Sequence, residues 1–478
     1  MIVRVVGWVV YAIGDLWNIA VCNGLDVSHV TSFDIKLNLL QAQQPASAPS
    51  RQLAEVNNGH QTNAQDFLFL MDAVSGKLAS PPTSTQAVRA SIIIPVFNKI
   101  DYTLRCIRAL MQEVNLAENE IIVVDNGSTD ETARVLDHLK GFVRTLNQRE
   151  NLGFVHACNA GAAAARGRYL VFLNNDTVVE PGWLKHLVET ADADLSVGAV
   201  GSMLVYPDGR LQEAGCGVWI DGTGFNYGRG QDPENRKFNY AREVDYCSAA
   251  SLLVRKEIFD QLGGFDARYA PAYYEDTDLC FGIRSLGYKV RYQPTSRLVH
   301  HEGITAGTDT SAGFKRYQEI NRAQFVKKWQ KTLRQEHLEN DPGNIETAAT
   351  RRGGPRIIIV DREIPTPDQD SGSLRMFMIL KSLARNWRPV FVPLLATFHS
   401  PKYEKLLGQE GVEIVNRANY KKLIKTGEFH AAILCRVEVA DALLPTIRKL
   451  DQSIKIIFDT VDLHFLTDVT QTKFRVST

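Results

Sequence analysis

The stretch RYLVFLNNDTVVEPGW, residues 168–183, decides the fold of this chain. Its residues 169–173 form a short apolar run rich in β-forming residues, a pattern typical of a strand buried on both faces of a parallel sheet. The run ends abruptly in Asn174, Asn175 and Asp176. Open α/β sheets bind ligands at the carboxyl ends of their strands, and oxygen-bearing side chains there suit a hard divalent cation that bridges phosphates. An ordinary Asn/Asp turn is the alternative interpretation of the tripeptide alone.

The composition limits the class of protein and its partners. The chain has 478 residues, 44% of them hydrophobic, which is enough for two or three domains with separate cores. Lys plus Arg and Asp plus Glu both number 54, so no overall field attracts nucleic acid or an anionic membrane. The seven cysteines form no Cys-x-x-Cys pair, which argues against a zinc ribbon or a disulfide framework. The apolar run at residues 5–13 is too short to span a bilayer, so we predict a soluble cytoplasmic protein without a transmembrane segment.

Two strand–helix units precede the opening stretch. SIIIPVFNK (91–99) has the pattern of a buried strand and is followed by apolar residues at helical spacing. EIIVVDNGSTDETARVLDHLKG (120–141) repeats the plan, and its residues 128–131 have the spacing of a helix capping box. Two such units predict a right-handed parallel sheet, which puts Asp125 and Asn126 at the same edge as the Asn-Asn-Asp tripeptide. A turn or a helix cap is the alternative role for Asp125.

Acidic, aromatic and histidine residues gather in a later segment. Tyr273 and Tyr274 supply flat faces of the kind that stack on sugars, and the acidic residues Glu275, Asp276 and Asp278 follow them directly. A helix that begins at these acids would gain from their charge at its positive end, which is the alternative interpretation of the cluster. A His-His pair, residues 300–301, then follows a short apolar strand.

Three arginines, Arg229, Arg236 and Arg242, lie in a Gly- and charge-rich loop between residues 221 and 243. Such a loop could cover a diphosphate. Because most arginines in such loops are solvated, we do not count them among the site residues.

The motifs occur in a fixed order that resembles a family 2 glycosyltransferase of the GT-A fold, in particular the rhamnosyltransferase-like members that assemble cell-surface polysaccharides. The motifs are SIIIPVFNK, IIVVDNGSTDET, NLGFVHACNAGAAAARGRYLVFLNNDT, the GFDARY turn and YYEDTDLCFGIRSLGY. The resemblance covers residues 90–330. It implies an α/β fold built around a nucleotide-diphospho-sugar site.

The resemblance also implies a role for each candidate site residue. It places a donor-binding group around the nucleotide sugar: Pro95, Phe97, Asp125, Asn126, Asn174 and Asn175. Asp176 and His300, with His301 as the alternative histidine, would hold Mn²⁺ or Mg²⁺. Asn174 stands where many relatives have the first aspartate of an Asp-x-Asp pair, which leaves one carboxylate in place of two. Asp276 would be the general base, with Glu275 beside it.

The chain around this region divides into further parts. We predict that residues 1–89 form an N-terminal β-rich region and a linker, and that residues 331–354 form a polar linker. Residues 355–478 alternate strands and helices, which predicts a second, Rossmann-like doubly wound domain. This domain resembles the amino-terminal half of a GT-B glycosyltransferase. In that family the other half holds most of the nucleotide sugar, so we expect no second complete active site.

Taken together, the sequence predicts an inverting, metal-dependent glycosyltransferase of cell-surface polysaccharide biosynthesis. Its partners would be a nucleotide-sugar donor and a saccharide or lipid-linked saccharide acceptor, with a peripheral contact at the inner membrane surface left open. One alternative is a sugar-nucleotide pyrophosphorylase, which would need a Gly-rich phosphate loop that PVFNKIDYT (95–103) lacks. The other alternative is a non-catalytic carbohydrate-binding or scaffold subunit, suggested by Asn174 and the incomplete second domain.

Overall fold

The computed structural model describes residues 87–303, 316–395 and 400–460, which form two large β-sheets within one compact unit. The predicted β-rich region lies outside the described residues except for residues 87–89. Among the residues that the structure describes, no helix is both long and apolar enough to cross a membrane.

The first sheet has ten strands and occupies the region predicted to have the GT-A fold. These strands and the separate β8–β9 hairpin are β1 (Ala90–Val96), β2 (Asn119–Asp125), β3 (Arg144–Asn147), β4 (Tyr169–Leu173), β5 (Thr177–Val179), β6 (Val197–Val205), β7 (Leu211–Glu213), β8 (Cys216–Val218), β9 (Gly224–Asn226), β10 (Arg242–Glu243), β11 (Ser251–Arg255) and β12 (Lys289–His300). The helices of this region are α1 (Ile100–Glu113), α2 (Thr132–His138), α3 (Phe154–Ala164), α4 (Trp183–Ala193), α5 (Lys256–Leu262), α6 (Glu275–Ser285) and α7 (Tyr317–Glu336).

The strand order explains how distant segments reach one edge. The sheet runs β10-β12-β6-β11-β4-β1-β2-β3, with β5 on β12 and β7 on β6. Strands β1, β2, β3 and β4 run parallel to one another, as predicted, so β2 and β4 end at the same edge. The sheet becomes mixed at β11, which runs antiparallel to β4 and pairs its first residue, Ser251, with Leu173. The small residues that precede β11 therefore lie beside the end of β4, and the Asn174 amide donates to the Ala250 carbonyl at 3.1 Å.

Strand β4 is buried on both faces, as its apolar run predicts. Leu170 and Phe172 belong to one hydrophobic core, whereas Tyr169, Val171 and Leu173 belong to the core on the other face. All five side chains are inaccessible to solvent. Burial of a side chain such as Phe172 contributes about 2–3 kcal/mol, so this strand anchors both layers of the domain.

The predicted capping box does not form. Helix α2 begins at Thr132, and its N-cap residue Glu131 makes no side-chain capping bond. The Ser128 hydroxyl instead accepts a hydrogen bond from the Asn98 amide at 2.8 Å, and Asn98 Oδ1 accepts from the Thr129 amide at 2.7 Å. A contact between two loops has replaced the local cap, and it ties the turn after β1 to the turn after β2.

The second sheet has five parallel strands in the order β15-β14-β13-β16-β17, with a hydrophobic core on each face. Its strands are β13 (Arg356–Asp361), β14 (Arg388–Pro393), β15 (Glu413–Ile414), β16 (Phe429–Cys435) and β17 (Lys455–Asp459). Its helices are α9 (Ser371–Leu383), α10 (Pro401–Gln409), α11 (Tyr420–Thr426) and α12 (Val437–Leu450), and α8 (Ile345–Thr350) precedes the sheet. The α/β architecture with a second doubly wound sheet is the fold class that the sequence predicts. The limits of the domains and the likeness to half of a GT-B enzyme stay predictions.

Residues 331–354, predicted as a linker, are an ordered connection. Helix α7 continues into this segment and α8 lies within it. Arg351 and Arg352 then donate to the Asp245 carboxylate, whose side chain is inaccessible to solvent, and His337 and Arg284 lie within 4 Å of it. Burial alone would raise the pKa of Asp245, but the charges of Arg352 and Arg351 outweigh burial and lower it. Electrostatics thus fixes this connection to the first sheet.

Helix α10 joins the second sheet to the loop before β10. The Ala241 amide donates to the Gly408 carbonyl at 2.8 Å, and Arg236 donates two bonds of 2.7 Å to Glu404. A Cβ atom on Gly408 would lie 2.1 Å from the Asn239 carbonyl oxygen, so only glycine allows this approach. Arg236, left out of the site residues, lies outside the candidate cavity, and its exposed side chain is paired with a carboxylate 168 residues away.

Candidate functional site

A cavity of about 350 Å³ opens at the carboxyl edge of the first sheet. The site residues predicted from the sequence that line it are Pro95, Phe97, Asn126, Asn174, Asn175, Asp176, Glu275, Asp276 and His300. The remaining predicted residue, Asp125, is buried and does not line the cavity. Its Oδ1 accepts from the Ser128 amide at 2.9 Å, which is the turn role that the sequence left open.

Asp176 and His300 meet at one wall of the cavity. His300 Nε2 lies 3.2 Å from Asp176 Oδ1, and both side chains are buried. On the other side of the ring, His300 Nδ1 lies 3.1 Å from Gln212 Oε1. Gln212 Nε2 donates to the Glu302 carboxylate at 3.0 Å, which fixes the orientation of the amide because a carboxylate only accepts.

This chain of contacts sets the tautomer of His300. With Gln212 Oε1 as acceptor, Nδ1 carries a proton, and Nε2 lies 3.3 Å from Asn174 Nδ2 and 3.2 Å from Asp176 Oδ1. When the ring is neutral, the Nε2 lone pair and the Asp176 carboxylate oxygen are two acceptors that face each other. A divalent cation relieves such a contact, and an oxygen and an imidazole nitrogen are ligands that Mn²⁺ accepts. Asp176 and His300 therefore offer two protein ligands to a metal ion, and no group of three or more His, Cys, Asp or Glu ligands gathers among the described residues.

Two of the predicted donor-binding residues already have structural partners. Asn126 Nδ2 donates to Asn151 Oδ1 at 2.8 Å, and its Oδ1 accepts from the Leu152 amide, so it holds the loop before α3. Asn175 Nδ2 donates to Thr103 on α1 at 3.0 Å. These contacts position the backbone around the cavity, and a role of either residue in donor binding stays a prediction.

The acidic pair lies at the first turn of α6, opposite the histidine. Tyr273 and Tyr274, directly before it, adopt left-handed backbone conformations with φ of 77° and 70°. Non-glycine residues in this region are costly and gather at functional sites. Asp276 accepts from the Ala249 amide at 3.1 Å, from the Thr277 amide at 2.6 Å and from the Thr277 hydroxyl at 3.2 Å.

The two acids of the pair differ in their hydrogen bonds. Glu275 Oε2 is buried without a hydrogen-bond partner among the described residues, whereas the Asp276 carboxylate has three donors. Burial, and then the charge of Asp276, raises the pKa of Glu275 well above its usual range. Burial also raises the pKa of Asp276, but its hydrogen bonds oppose that shift. Asp276 is therefore the more readily ionised member of the pair.

Sequence reasoning missed a third acid, Glu213, at the end of β7. It lines the same cavity and accepts from the Ser248 amide at 3.1 Å and from Asn226 Nδ2 at 3.3 Å. Burial raises its pKa to about 7. No spacing in the sequence marks Glu213, Gln212 or Glu302, because the pairing of β7 with β6 and the course of β12 bring Glu213 and Glu302 to the cavity and Gln212 to His300.

Comparison with known families matches the region of the chain that carries most of this cavity. The model of the family Glycosyl transferase family 2 matches residues 91–263, which include β1, β2, β4 and Glu213. Residues 91–263 belong to glycosyl transferase family 2. The predictions of this family and of a glycosyltransferase enzyme domain are thereby confirmed.

Named relatives match the same part of the chain. The O-antigen biosynthesis protein RfbC of Myxococcus xanthus is 31% identical over 229 residues, which are 46% of this chain and 18% of that protein. The N-acetylglucosaminyl-diphospho-decaprenol L-rhamnosyltransferase of Mycobacterium tuberculosis is 29% identical over 223 residues, 40% of this chain and 69% of the relative. The chain thus spans less than a fifth of the Myxococcus protein.

Among solved structures, GalNAc-T7, crystallised with UDP, GalNAc and Mn²⁺, aligns with a TM-score of 0.43 and 16% sequence identity. The alignment covers 52% of this chain and 50% of GalNAc-T7.

Proposed function

We propose that the family 2 domain transfers a sugar from a nucleotide-sugar donor to a saccharide or lipid-linked saccharide acceptor, with inversion, in cell-surface polysaccharide biosynthesis. One observation carries the proposal: a single cavity joins the facing side chains of Asp176 and His300 to a carboxylate, Asp276, that no lysine or arginine of the described chain neutralises. The names of the Myxococcus and mycobacterial relatives support the class of pathway and the group transferred.

Asp176 Oδ1 and His300 Nε2 would hold Mn²⁺ or Mg²⁺. Such an ion neutralises the charge that develops on a departing nucleoside diphosphate. Gln212 and Glu302 orient the histidine for this task, and Tyr206 and Arg229 in turn donate to Glu302 at 2.9 and 2.8 Å. Arg229, which the sequence treated as solvated, is thus part of the support of the site.

Asp276 would accept the proton of the acceptor hydroxyl. The hydroxyl oxygen bonds to the anomeric carbon while the bond from that carbon to the diphosphate breaks, and the hydroxyl proton passes to the Asp276 carboxylate. One base suffices for this single displacement. The amides of Ala249 and Thr277 hold the carboxylate in place and stabilise its charge before the reaction.

The test is the release of nucleoside diphosphate from a panel of nucleotide sugars, with Mn²⁺, with Mg²⁺ and with EDTA, in the presence and absence of saccharide acceptors. We expect one donor to be consumed in a metal-dependent way, faster with an acceptor, and product with inverted anomeric configuration. Donor binding without any turnover would instead support a carbohydrate-binding subunit. Formation of nucleoside triphosphate and sugar 1-phosphate from a nucleotide sugar when pyrophosphate is added would support a pyrophosphorylase.

A further inference from the structure

A second cavity, which we call the junction cavity, lies between the first sheet and the amino-terminal ends of β13 and β14. Its volume is about 240 Å³, and it shares no lining residue with the first cavity. Its lining includes seven cationic side chains and two acidic ones. The cations are Arg242, Lys289, Arg291, Arg352, Arg356, Arg385 and Arg388, and the acids are Glu243 and Glu413.

Some of these cations have acidic partners. Lys289 pairs with Asp194 at 3.2 Å, Arg352 pairs with Asp245 and Glu336, and Arg356 pairs with Glu413 at 3.1 Å. Arg242 packs between tyrosine rings, which offset part of its charge. These four side chains are accounted for by the fold.

Arg291, on β12, is not accounted for. Its guanidinium makes no hydrogen bond or ion pair with any residue that the structure describes, and its Nε is buried. Three acids act on its charge: Asp194 and Glu410, which are already paired with Lys289 and Lys381 at 3.2 and 2.8 Å, and Glu243, which lies opposite Arg291 in the β10–β12 strand pair and makes no ion pair with it. Burial lowers the pKa of Arg291. Arg291 is partly exposed to the cavity, so its charge is partly desolvated, and an anion bound in the cavity would supply its counter-charge.

Arg388, on β14, faces the same cavity from the second sheet. It donates to the backbone carbonyls of Gly354, at 2.7 Å, and Thr350, and among the described residues its charge has no carboxylate partner. Arg385 lies at the exposed rim, and Trp387 adds a flat ring to the lining. Unneutralised guanidinium groups therefore approach one space from both sheets.

We propose that the junction cavity binds a small diphosphate anion between Arg291 and Arg388. Guanidinium groups match phosphate oxygens with paired, charge-assisted hydrogen bonds, and two phosphoryl groups supply enough charge for arginines on two elements. The volume is that of several water molecules, which suits pyrophosphate better than a single phosphate. Since one arginine comes from each sheet, the anion clamps the two sheets together and stabilises the folded chain by mass action.

Calorimetry and thermal unfolding of the full chain in EDTA, with inorganic pyrophosphate as the probe, test the proposal without a metal-dependent contribution from the first cavity. Wild type and Asp176→Ala should bind pyrophosphate equally. Arg291→Gln should weaken binding about tenfold or more, since it removes a charge-assisted contact. Arg334→Gln, at an exposed arginine of α7, is the matched control and should bind as wild type does.

The melting temperature measured without any anion distinguishes a loss of anion binding from a loss of structural stability. Because Arg291 makes no ion pair with any described residue, Arg291→Gln should melt at the same temperature as wild type or higher when no anion is present. No pyrophosphate binding in EDTA, or binding that Arg291→Gln leaves unchanged, would overturn the proposal. So would a variant that is destabilised without anion and keeps its affinity. Orthophosphate and UDP serve as further arms: equal affinity for orthophosphate would contradict a diphosphate site, and tighter binding of UDP would identify a nucleotide as the source of the diphosphate.

Discussion

Both sheets have acidic residues near their carboxyl edges, but only the acids of the second sheet are paired with arginines. At the second sheet, Asp361 accepts from Arg436 at 3.0 Å, and Asp459 accepts two bonds from Arg375 at 2.9 and 2.8 Å. At the first sheet, no lysine or arginine of the described chain pairs with Asp176 or Asp276. An acid at a sheet edge can hold an external cation or take up a proton only where no lysine or arginine of the chain neutralises it. The topology of the sheet alone therefore does not make a site.

The largest expected effect comes from the base. Asp276→Asn keeps the shape and most hydrogen bonds but removes the basic oxygen, so turnover should fall about 10² to 10⁴-fold with donor affinity nearly unchanged. Glu275→Gln should cost less, because its carboxyl is the one held neutral. Steady-state kinetics and donor titration measure both. If Glu275→Gln is the inactive variant and Asp276→Asn transfers sugar normally, the roles of the two acids are reversed.

The second-largest effect on activity is expected from Gln212, which orients His300. Gln212→Met removes the acceptor that keeps the His300 proton on Nδ1, so half-maximal activity should require about 10 to 100-fold more Mn²⁺. Gln231→Met, at an exposed glutamine outside the cavity, is the control. A Mn²⁺ requirement equal to that of wild type would show that Gln212 does not orient His300.

Glu213 should appear in the pH dependence of stability. Its pKa is raised to about 7 in the folded chain from an ordinary value of 4.5, so the folded state binds the proton more tightly and loses stability as the pH rises through that interval. Glu213→Gln removes this loss and should gain up to about 3 kcal/mol relative to wild type at pH 8, and little at pH 4.5. Chemical denaturation at both pH values measures it; an equal difference at both would show that Glu213 does not titrate in this range.

The smallest effect is expected at the second sheet. Asp459→Asn breaks the pair with the half-exposed Arg375, which should change the free energy of unfolding by about 1 kcal/mol or less and leave sugar transfer unchanged. Activity assays beside Asp276→Asn make the comparison direct. A loss of turnover in Asp459→Asn would mean that the second sheet takes part in the reaction.

Much of the first sheet could be predicted because its signals are local. The buried run of β4, the two strand–helix units and the acids at the start of α6 each lie within a short window of sequence. Gln212, Glu213 and Glu302 could not be found this way, since strand pairing across the sheet brings Glu213 and Glu302 to the cavity and Gln212 to His300. The same reason explains the error at Ser128, whose partner lies in another loop and outcompeted the local role.

The central claim is that Asp176 links a metal ion to the nucleotide donor at the edge of the first sheet. The most direct measurement is the shift in the unfolding midpoint caused by a panel of nucleoside diphosphates with and without Mn²⁺, in wild type and in Asp176→Ala. We predict a shift that needs both Mn²⁺ and one of the nucleotides in wild type, and no metal-dependent part in a folded Asp176→Ala variant. An unchanged metal-dependent shift in that variant would remove Asp176 from the site and contradict the account.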